Sequence, residues 1–298
     1  MTHKKSLGQH FLTSQVIAKA IVTEGNVQGD DVILEIGPGR GILTRELLLF
    51  AGKVIAIEKD AEMIPFLERE FGNEIKHARL EIVEKDILDF IPSRSTLHVP
   101  ISFRKSRILD PLKRIGTLRS DFLQEIENPR SAEADRGYKL IANIPYYITG
   151  KILRMFLGAK FQPHLMVLLV QKEVANRIVA KDGKESLLGM SVKAYGKPRI
   201  ARIVKAGSFS PPPKVESAIL KLTPNNLLTP ETNRLNYYKL IKIIFKQPRK
   251  TLLNNLVDGL GISKLAALEK LKKIGLPGQE RPQNLNLKNI EYLANDVF

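Results

Sequence analysis

Five short apolar runs mark the first part of the chain: Asp31–Ile36 (DVILEI), Lys53–Ile57 (KVIAI), Leu80–Val83 (LEIV), Tyr138–Ala142 (YKLIA) and Leu165–Val170 (LMVLLV). Each has the length and apolar continuity of a buried strand. The first run stops at Gly37-Pro38-Gly39-Arg40-Gly41, after which ILTRELLLF takes up helical spacing. Strand, glycine turn and helix in that order predict an α/β domain built on an open parallel sheet. Beyond Leu222 comes TPNNLLTPET, polar and with two prolines, which reads as a linker. The segments NRLNYYKLIKIIFK, KTLLNNLVDGL, ISKLAALEKLKKIG and LKNIEYLANDVF then carry helical spacing. The expected organisation is an α/β domain over residues 1–224 and a small helical domain over 225–298.

The ends of the predicted strands carry the chemistry. Glycines after the first strand let the backbone approach a ligand, and the following helix turns its N–H groups towards it. The spacing is GxGxG, one residue shorter than the dinucleotide GxGxxG. This favours the turn used for S-adenosylmethionine over a pyrophosphate cradle. Glu58 ends the second strand, seventeen residues past Gly41, where a carboxylate can accept from both hydroxyls of a ribose. The third leads to Asp86. The fourth delivers Asn143 to the same edge, followed by Ile144, Pro145 and Tyr146. An amide, a stiff turn and a flat ring suit a purine gripped by its amino group and its face. Taken alone, the tetrapeptide equally suits the first turn of a helix with tyrosines in the core.

The charge narrows the partners. With 47 Lys and Arg against 31 Asp and Glu the formal charge is +16, the sign and size expected of a protein that meets a polyanion. A basic protein on a membrane surface would have the same charge. However, no stretch approaches the roughly 20 apolar residues of a span, and MTHKKSLGQH lacks the apolar core of a signal peptide. The expectation is a cytoplasmic protein. Zero cysteine removes disulfides and thiolate chemistry, and the five histidines have no ligand-like spacing, so no metal site is expected.

In order along the chain, SLGQHFLTSQ, LEIGPGRGILT, VIAIEKD, EKDILDF, ANIPYYITGKIL, LVQKEVANRI, SFSPPPKVESAILKL and FKQPRKTLLNNL resemble the ribosomal RNA adenine N6,N6-dimethyltransferases, specifically the small-subunit (kasugamycin-resistance) family. The resemblance implies a Rossmann-like sheet that binds S-adenosylmethionine, a small C-terminal helical domain, and methyl transfer to N6 of two adjacent adenines near the 3′ end of small-subunit rRNA. It places His10 and Leu12 in an arm over the cofactor and Gly37 and Gly39 by its methionine portion. Glu58 falls on the ribose and Asp86 on the adenine amine. Asn143, with the carbonyl of Ile144, would hold the target amine. Pro145 would stiffen that turn, Tyr146 would stack on the flipped base, and Phe209 would support it from the other side. Lys242, Lys246, Arg249 and Lys250 are the expected RNA-phosphate contacts. The partner implied is the RNA of a pre-30S or 30S particle, met by a monomer.

One segment departs from the family. About thirty extra residues separate Asp86 from Asn143, approximately residues 95–134, and read either as a surface excursion or as a helical hairpin beside the pocket. Three rival readings remain at this stage. One is a large-subunit rRNA adenine methyltransferase conferring macrolide resistance, and another is a non-catalytic RNA-binding assembly factor. The third, an NAD-dependent oxidoreductase, is made poor by the glycine spacing.

Overall fold

A computed structural model describes residues 10–93, 97, 137–181, 183–224 and 231–298. The chain divides into two compact units, Met1–Val170 with Ala201–Lys221, and Gln171–Ile200 with Leu222–Phe298. The expected insertion at 95–134 lies outside the described residues, save Leu97.

The first unit opens with strand β1 (Phe11–Leu12) and helix α1 (Gln15–Glu24), capped by the Ser14 hydroxyl, which accepts from the Ile17 N–H. Next come β2 (Val32–Ile36), α2 (Ile42–Leu48), β3 (Lys53–Glu58), α3 (Ile64–Glu70), α4 (Gly72–Lys76) and β4 (Leu80–Glu84). After them follow β5 (Lys139–Asn143), α5 (Thr149–Leu157) and β6 (Leu165–Gln171). Strands β7 (Gly196–Val204), β8 (Phe209–Ser210) and β9 (Ser217–Pro224) come later in the chain. Each of the five apolar runs is a strand of one seven-stranded sheet with the order β4-β3-β2-β5-β6-β9-β7. Neighbours from β4 to β6 pair in parallel, for example Ile33 with Val54 and Leu140 with Met166. Parallel strands need helical crossovers on the sheet faces, so the side chains of the inner strands are covered on both sides, while edge strand β4 stays partly exposed. Ile33, Leu34, Leu140, Ile141 and Val167 are accordingly buried completely.

An ion pair lies within this apolar interior. Lys139 Nζ lies 2.5 Å from Asp31 Oδ2 and 2.7 Å from the Asn26 carbonyl, and the Gln28 N–H donates to the same Asp31 oxygen at 2.7 Å. Both side chains are buried, so removing either partner would strand a charge without water.

Winding direction reverses between β2 and β5. From β2 the chain steps outward through β3 and β4, then returns to place β5 on the other side of β2. At this switch point the loops that follow the two strands diverge and leave a crevice at the carboxyl edge. The glycine turn after β2 and Asn143 at the end of β5 face that crevice from its two sides.

The second unit holds α6 (Lys172–Val179), α7 (Leu187–Lys193), α8 (Glu231–Ile244), α9 (Leu252–Leu260), α10 (Lys264–Lys273) and α11 (Leu287–Val297). Its own core gathers Met190, Tyr237, Leu240, Ile241, Leu256, Leu271, Ile290 and Leu293. The four C-terminal helical segments read from spacing are α8 to α11. The expected single boundary at 224/225 differs from the observed division, which groups residues 171–200 with those helices. The physical reason is packing: Met190 on α7 belongs to this core, and its carbonyl accepts the buried Tyr237 hydroxyl of α8 at 3.2 Å. The stretch read as a linker is also shorter than expected, since β9 runs to Pro224 and α8 starts at Glu231.

Gly41, the residue before α2, has φ +73°, and an added Cβ would lie 2.5 Å from the Phe71 ring. Gly41→Ala therefore meets both a strained backbone and a buried aromatic. A loss of about 1–3 kcal/mol is expected, read as a lower unfolding temperature in calorimetry; an unchanged transition would contradict the packing described.

Candidate active site

The crevice opens into two adjoining lobes. The first spans about 750 Å³, open solvent included, and is lined by residues that include His10, Leu12, Glu35, Gly37, Gly39, Arg40, Asn143, Ile144, Pro145 and Tyr146. The second, of about 720 Å³, is lined by residues that include Lys59, Asp60, Lys85, Asp86, Ile87, Leu88, Tyr147 and Lys151. Gly37, Glu58 and Pro145 line both. The lobes thus lie side by side along the carboxyl edge of the sheet.

Its floor is the glycine turn. Gly37 and Gly39 have φ +65° and +53°, and a Cβ on Gly39 would come within 2.9 Å of the Phe11 ring. Phe11 belongs to the N-terminal arm, which is pinned by antiparallel pairing of β1 with β8. In that pairing Phe11 lies opposite Ser210 and Leu12 opposite Phe209. The Thr13 N–H donates to the Ser208 carbonyl at 2.9 Å, and His10 Nδ1–H donates to the Pro211 carbonyl at 2.8 Å. The guanidinium of Arg40 sits 5.1 Å from the centre of the Phe11 ring, closing arm on turn.

Glu58 is buried and held by the backbone. Its carboxylate accepts from the N–H groups of Lys59 at 2.8 Å, Asp60 at 2.9 Å and Gly39 at 3.1 Å. Burial raises its pKa, and these three donors act against that rise. A carboxylate offers about four acceptor directions, so one is left for a ligand. Accepting two ribose hydroxyls requires release of one backbone donor, and the Gly39 contact is the longest. Asp86 lies in the second lobe with both oxygens engaged: Oδ1 accepts from the Leu88 N–H at 3.0 Å and Oδ2 lies 2.7 Å from Lys59 Nζ. The Lys59 partnership holds the Asp86 carboxyl below its ordinary range.

Asn143 Nδ2 donates to the His10 carbonyl at 3.3 Å, which leaves Oδ1 as the acceptor for an incoming N–H. Tyr146 opens a short 3-10 turn, Tyr146–Ile148. Its hydroxyl and the Ser217 hydroxyl are 2.6 Å apart, and the His10 ring stacks on its ring at 5.9 Å between centroids. Burial raises the Tyr146 pKa, which keeps the phenol neutral.

Most of the expected residues thus meet in one crevice: His10, Leu12, Gly37, Gly39, Glu58, Asp86, Asn143, Ile144, Pro145 and Tyr146. Phe209 does not line it. Its side chain is 4% exposed within the apolar core, because its pairing with Leu12 turns it inwards. In this arrangement Phe209 secures the arm and presents no face to the cleft. In the second unit Lys242, Lys246, Arg249 and Lys250 are all exposed. Lys242 Nζ lies 4.7 Å from the Tyr238 ring centre and Lys250 pairs with Asp258 at 3.2 Å.

Sequence reading missed three supporting residues. Ser217 fixes Tyr146. Asn255, buried on α9, knots the basic turn: its Nδ2 donates to the carbonyls of Gln247 at 3.0 Å and Thr251 at 3.0 Å, while Oδ1 accepts from the Gln247 N–H at 3.2 Å. Glu35 is the third. It is 1% exposed, lines the first lobe, and its Oε2 has no hydrogen-bond partner among the described residues. Burial pushes its carboxyl up to about 8, the Thr44 hydroxyl beside it opposes that rise, and the nearby Glu58 charge adds to it. A charged letter inside the run DVILEI was the available signal, since fully buried strands rarely carry one. A buried carboxylate with an open acceptor fits a ligand that brings positive charge, as the sulfonium and ammonium of S-adenosylmethionine do.

The sheet order, the glycine turn at the switch point and the strand-end acids define the Rossmann-like class of S-adenosylmethionine-dependent methyltransferases. Within it, residues 1–289 match the model of the ribosomal RNA adenine dimethylase family, and the chain belongs to that family. Ribosomal RNA small subunit methyltransferase A of Dehalococcoides mccartyi (strain CBDB1) is 37% identical over 298 residues, covering 98% of this chain and 89% of the relative. The protein of the same name from Acaryochloris marina (strain MBIC 11017) is 34% identical over 301 residues, covering 99% and 97%. Among solved structures, a dimethyladenosine transferase from Plasmodium falciparum superposes with TM-score 0.72 at 25% identity, over 95% of this chain and 96% of that one. The 23S rRNA methyltransferase ErmE gives TM-score 0.68 at 20% identity, over 96% and 99%, a likeness of fold alone.

Glu35 yields a test of the cleft in the absence of ligand. The folded pKa is raised, so its favourable contribution is complete below the unfolded value near 4.5 and is lost as pH rises towards about 8. Glu35→Gln keeps the shape of the protonated form. Variant and wild type should unfold at the same temperature near pH 4, with the variant increasingly the more stable above that, by up to about 1.4 kcal/mol per pH unit. Parallel stability curves from pH 4 to 9 would show that Glu35 is not held protonated.

Proposed function

We propose that this protein transfers methyl groups from S-adenosylmethionine to N6 of two adjacent adenines near the 3′ end of small-subunit rRNA, giving N6,N6-dimethyladenosine. It acts as a cytoplasmic monomer on a pre-30S or 30S particle. The observation that carries the reading is the pairing of a family match across nearly the whole chain with an intact Asn143 and Tyr146 at the switch-point cleft. Among the described residues no helix is long and apolar enough to cross a membrane.

When bound, S-adenosylmethionine supplies a methyl group activated by the positive charge on its sulfur. Adenine N6 is a weak nucleophile because its lone pair is delocalised into the ring. Asn143 Oδ1 accepts one N–H of the target amine and the Ile144 carbonyl accepts the other, which favours a pyramidal nitrogen with an exposed lone pair. Tyr146 gives the extruded base a face to stack on, and Ser217 keeps that ring from turning. Pro145 removes a competing N–H from the turn. No side chain is needed as a strong base, because the nitrogen becomes acidic once methylated and water can take the proton. Glu58 and Asp86 hold the cofactor's ribose and adenine.

Asn143→Ala is expected to lower methyl transfer about a hundredfold while leaving cofactor affinity nearly intact, and Glu58→Ala to weaken cofactor binding first. The assay is labelled S-adenosylmethionine with unmodified small ribosomal subunits, naked large-subunit RNA in parallel, and nucleoside mass spectrometry. Equal activity in Asn143→Ala would sink the mechanism. Label in the large-subunit RNA would move the protein to the macrolide-resistance branch, and label in neither, with cofactor bound, to a non-catalytic assembly role.

The exposed cations around Lys246 should contact phosphate. Reversing Lys246, Arg249 and Lys250 to Glu is expected to weaken RNA binding and flatten its salt dependence by about one unit of slope per lost contact, with cofactor affinity unchanged. A salt slope equal to that of wild type would remove this cluster from the interface.

A further inference from the structure

We propose that Tyr147, with Lys59, Lys85 and Lys151 around it, receives the nucleotide that flanks the target adenine, the base on its ring and the phosphates among the lysines. This surface extends the reading given under Proposed function and depends on it for the identity of the RNA.

The turn Tyr146–Ile148 is a 3-10 turn, in which successive side chains point about 120° apart. Ile148 is buried and fixes the turn to the core, and Tyr146 is half-buried and tied to Ser217. Tyr147 is left facing outwards, 65% exposed, at the rim of the lobe that Lys59, Lys85 and Lys151 also line. One turn therefore presents two aromatic rings in different directions, one towards the cleft and one towards solvent. Lys85 and Lys151 are exposed, and Arg154 follows Lys151 one turn on along the exposed side of α5. The acids of the same lobe are the buried Glu58 and Asp60, with Asp86, already paired with Lys59, and Asp89 also acts on Lys59. The acids Glu58 and Asp60 are buried, whereas Lys85, Lys151 and Arg154 stand exposed on the side of the uncovered ring.

A flat exposed aromatic among cations is the composition that binds single-stranded nucleic acid, because every base has a π-face and every nucleotide a phosphate. A base extruded into the first lobe draws its neighbours out of their stack, and they need a new surface within one nucleotide's reach. The residue next to Tyr146 provides it. An acidic peptide would meet the lysines but has no need of the ring, and a lipid surface would need an apolar patch in place of a single tyrosine with its hydroxyl.

The experiment uses the full chain and three variants, Tyr147→Ala, Tyr147→Phe and Lys151→Glu. Cofactor affinity is measured by calorimetry, RNA affinity by titration of unmodified small ribosomal subunits without turnover, and KM and kcat by methyl transfer. Tyr147→Ala is expected to raise the RNA Kd and KM about tenfold. Its cofactor affinity should change less than twofold, and Tyr147→Phe should behave as wild type. Lys151→Glu should weaken RNA binding and flatten its salt dependence. Weakening of cofactor binding by Tyr147→Ala in step with KM would mean that the ring covers the cofactor lobe, and overturns the proposal. RNA affinity equal to wild type in both Tyr147→Ala and Lys151→Glu overturns it as well. Wild-type protein that binds subunits without methylating them refutes the proposed reaction, and the binding titration still decides the role of Tyr147.

Discussion

The site depends on the parallel alignment of β2, β3, β4 and β5, which sends the carboxyl end of every one of these strands to the same edge. Gly37, Glu58, Lys85 with Asp86, and Asn143 are each the residue at or just past a strand end. No local feature brings these residues together; the register of the sheet does. Val32 opposite Lys53 and Val54 opposite Leu80 set how far each strand end projects, and a slip of one residue would turn buried apolar side chains to the wrong face. Burial on both faces makes such a slip costly, so the apolar interior and the geometry of the cleft are one constraint.

This dependence explains which parts were legible in the sequence. Strand existence was, because five apolar runs have no helical period. The strand-end acids and Asn143 were, because a polar residue directly after such a run has few other places to lie. The burial of Phe209 away from the cleft lining was not legible, because the two-residue pairing of β1 with β8 that holds it is too short to leave a period. Residues 171–200 were assigned to the wrong side of a boundary because composition does not shift there; the packing of α7 against α8 does. Ser217 and Asn255 gave no signal, since a single hydroxyl or amide becomes informative only when its partner is known.

Few polar groups in the cleft wait with open valences. Glu58 is held by three backbone donors, Asp86 by one N–H and a lysine, and Asn143 by the carbonyl of the arm. Holding them fixes their directions before a ligand arrives and reduces what binding must order. Among the described residues that line the first lobe, Glu35 differs: it is buried and its Oε2 has no hydrogen-bond partner. A neutral acid is tolerable there, and a cationic ligand reverses the preference, so charge enters the cleft only together with its partner.

The bond from Asn143 Nδ2 to the His10 carbonyl joins residues 133 positions apart and links the two tasks of the site. On one side, His10 belongs to the arm that lines the first lobe; on the other, the same bond leaves Asn143 Oδ1 as the atom that would meet the target amine in the proposed reaction. The arm is held in turn by Pro211 and Ser208, and His10 also rests on the Tyr146 ring. The arm and the Asn143 amide are therefore held together by a short chain of hydrogen bonds within the first unit.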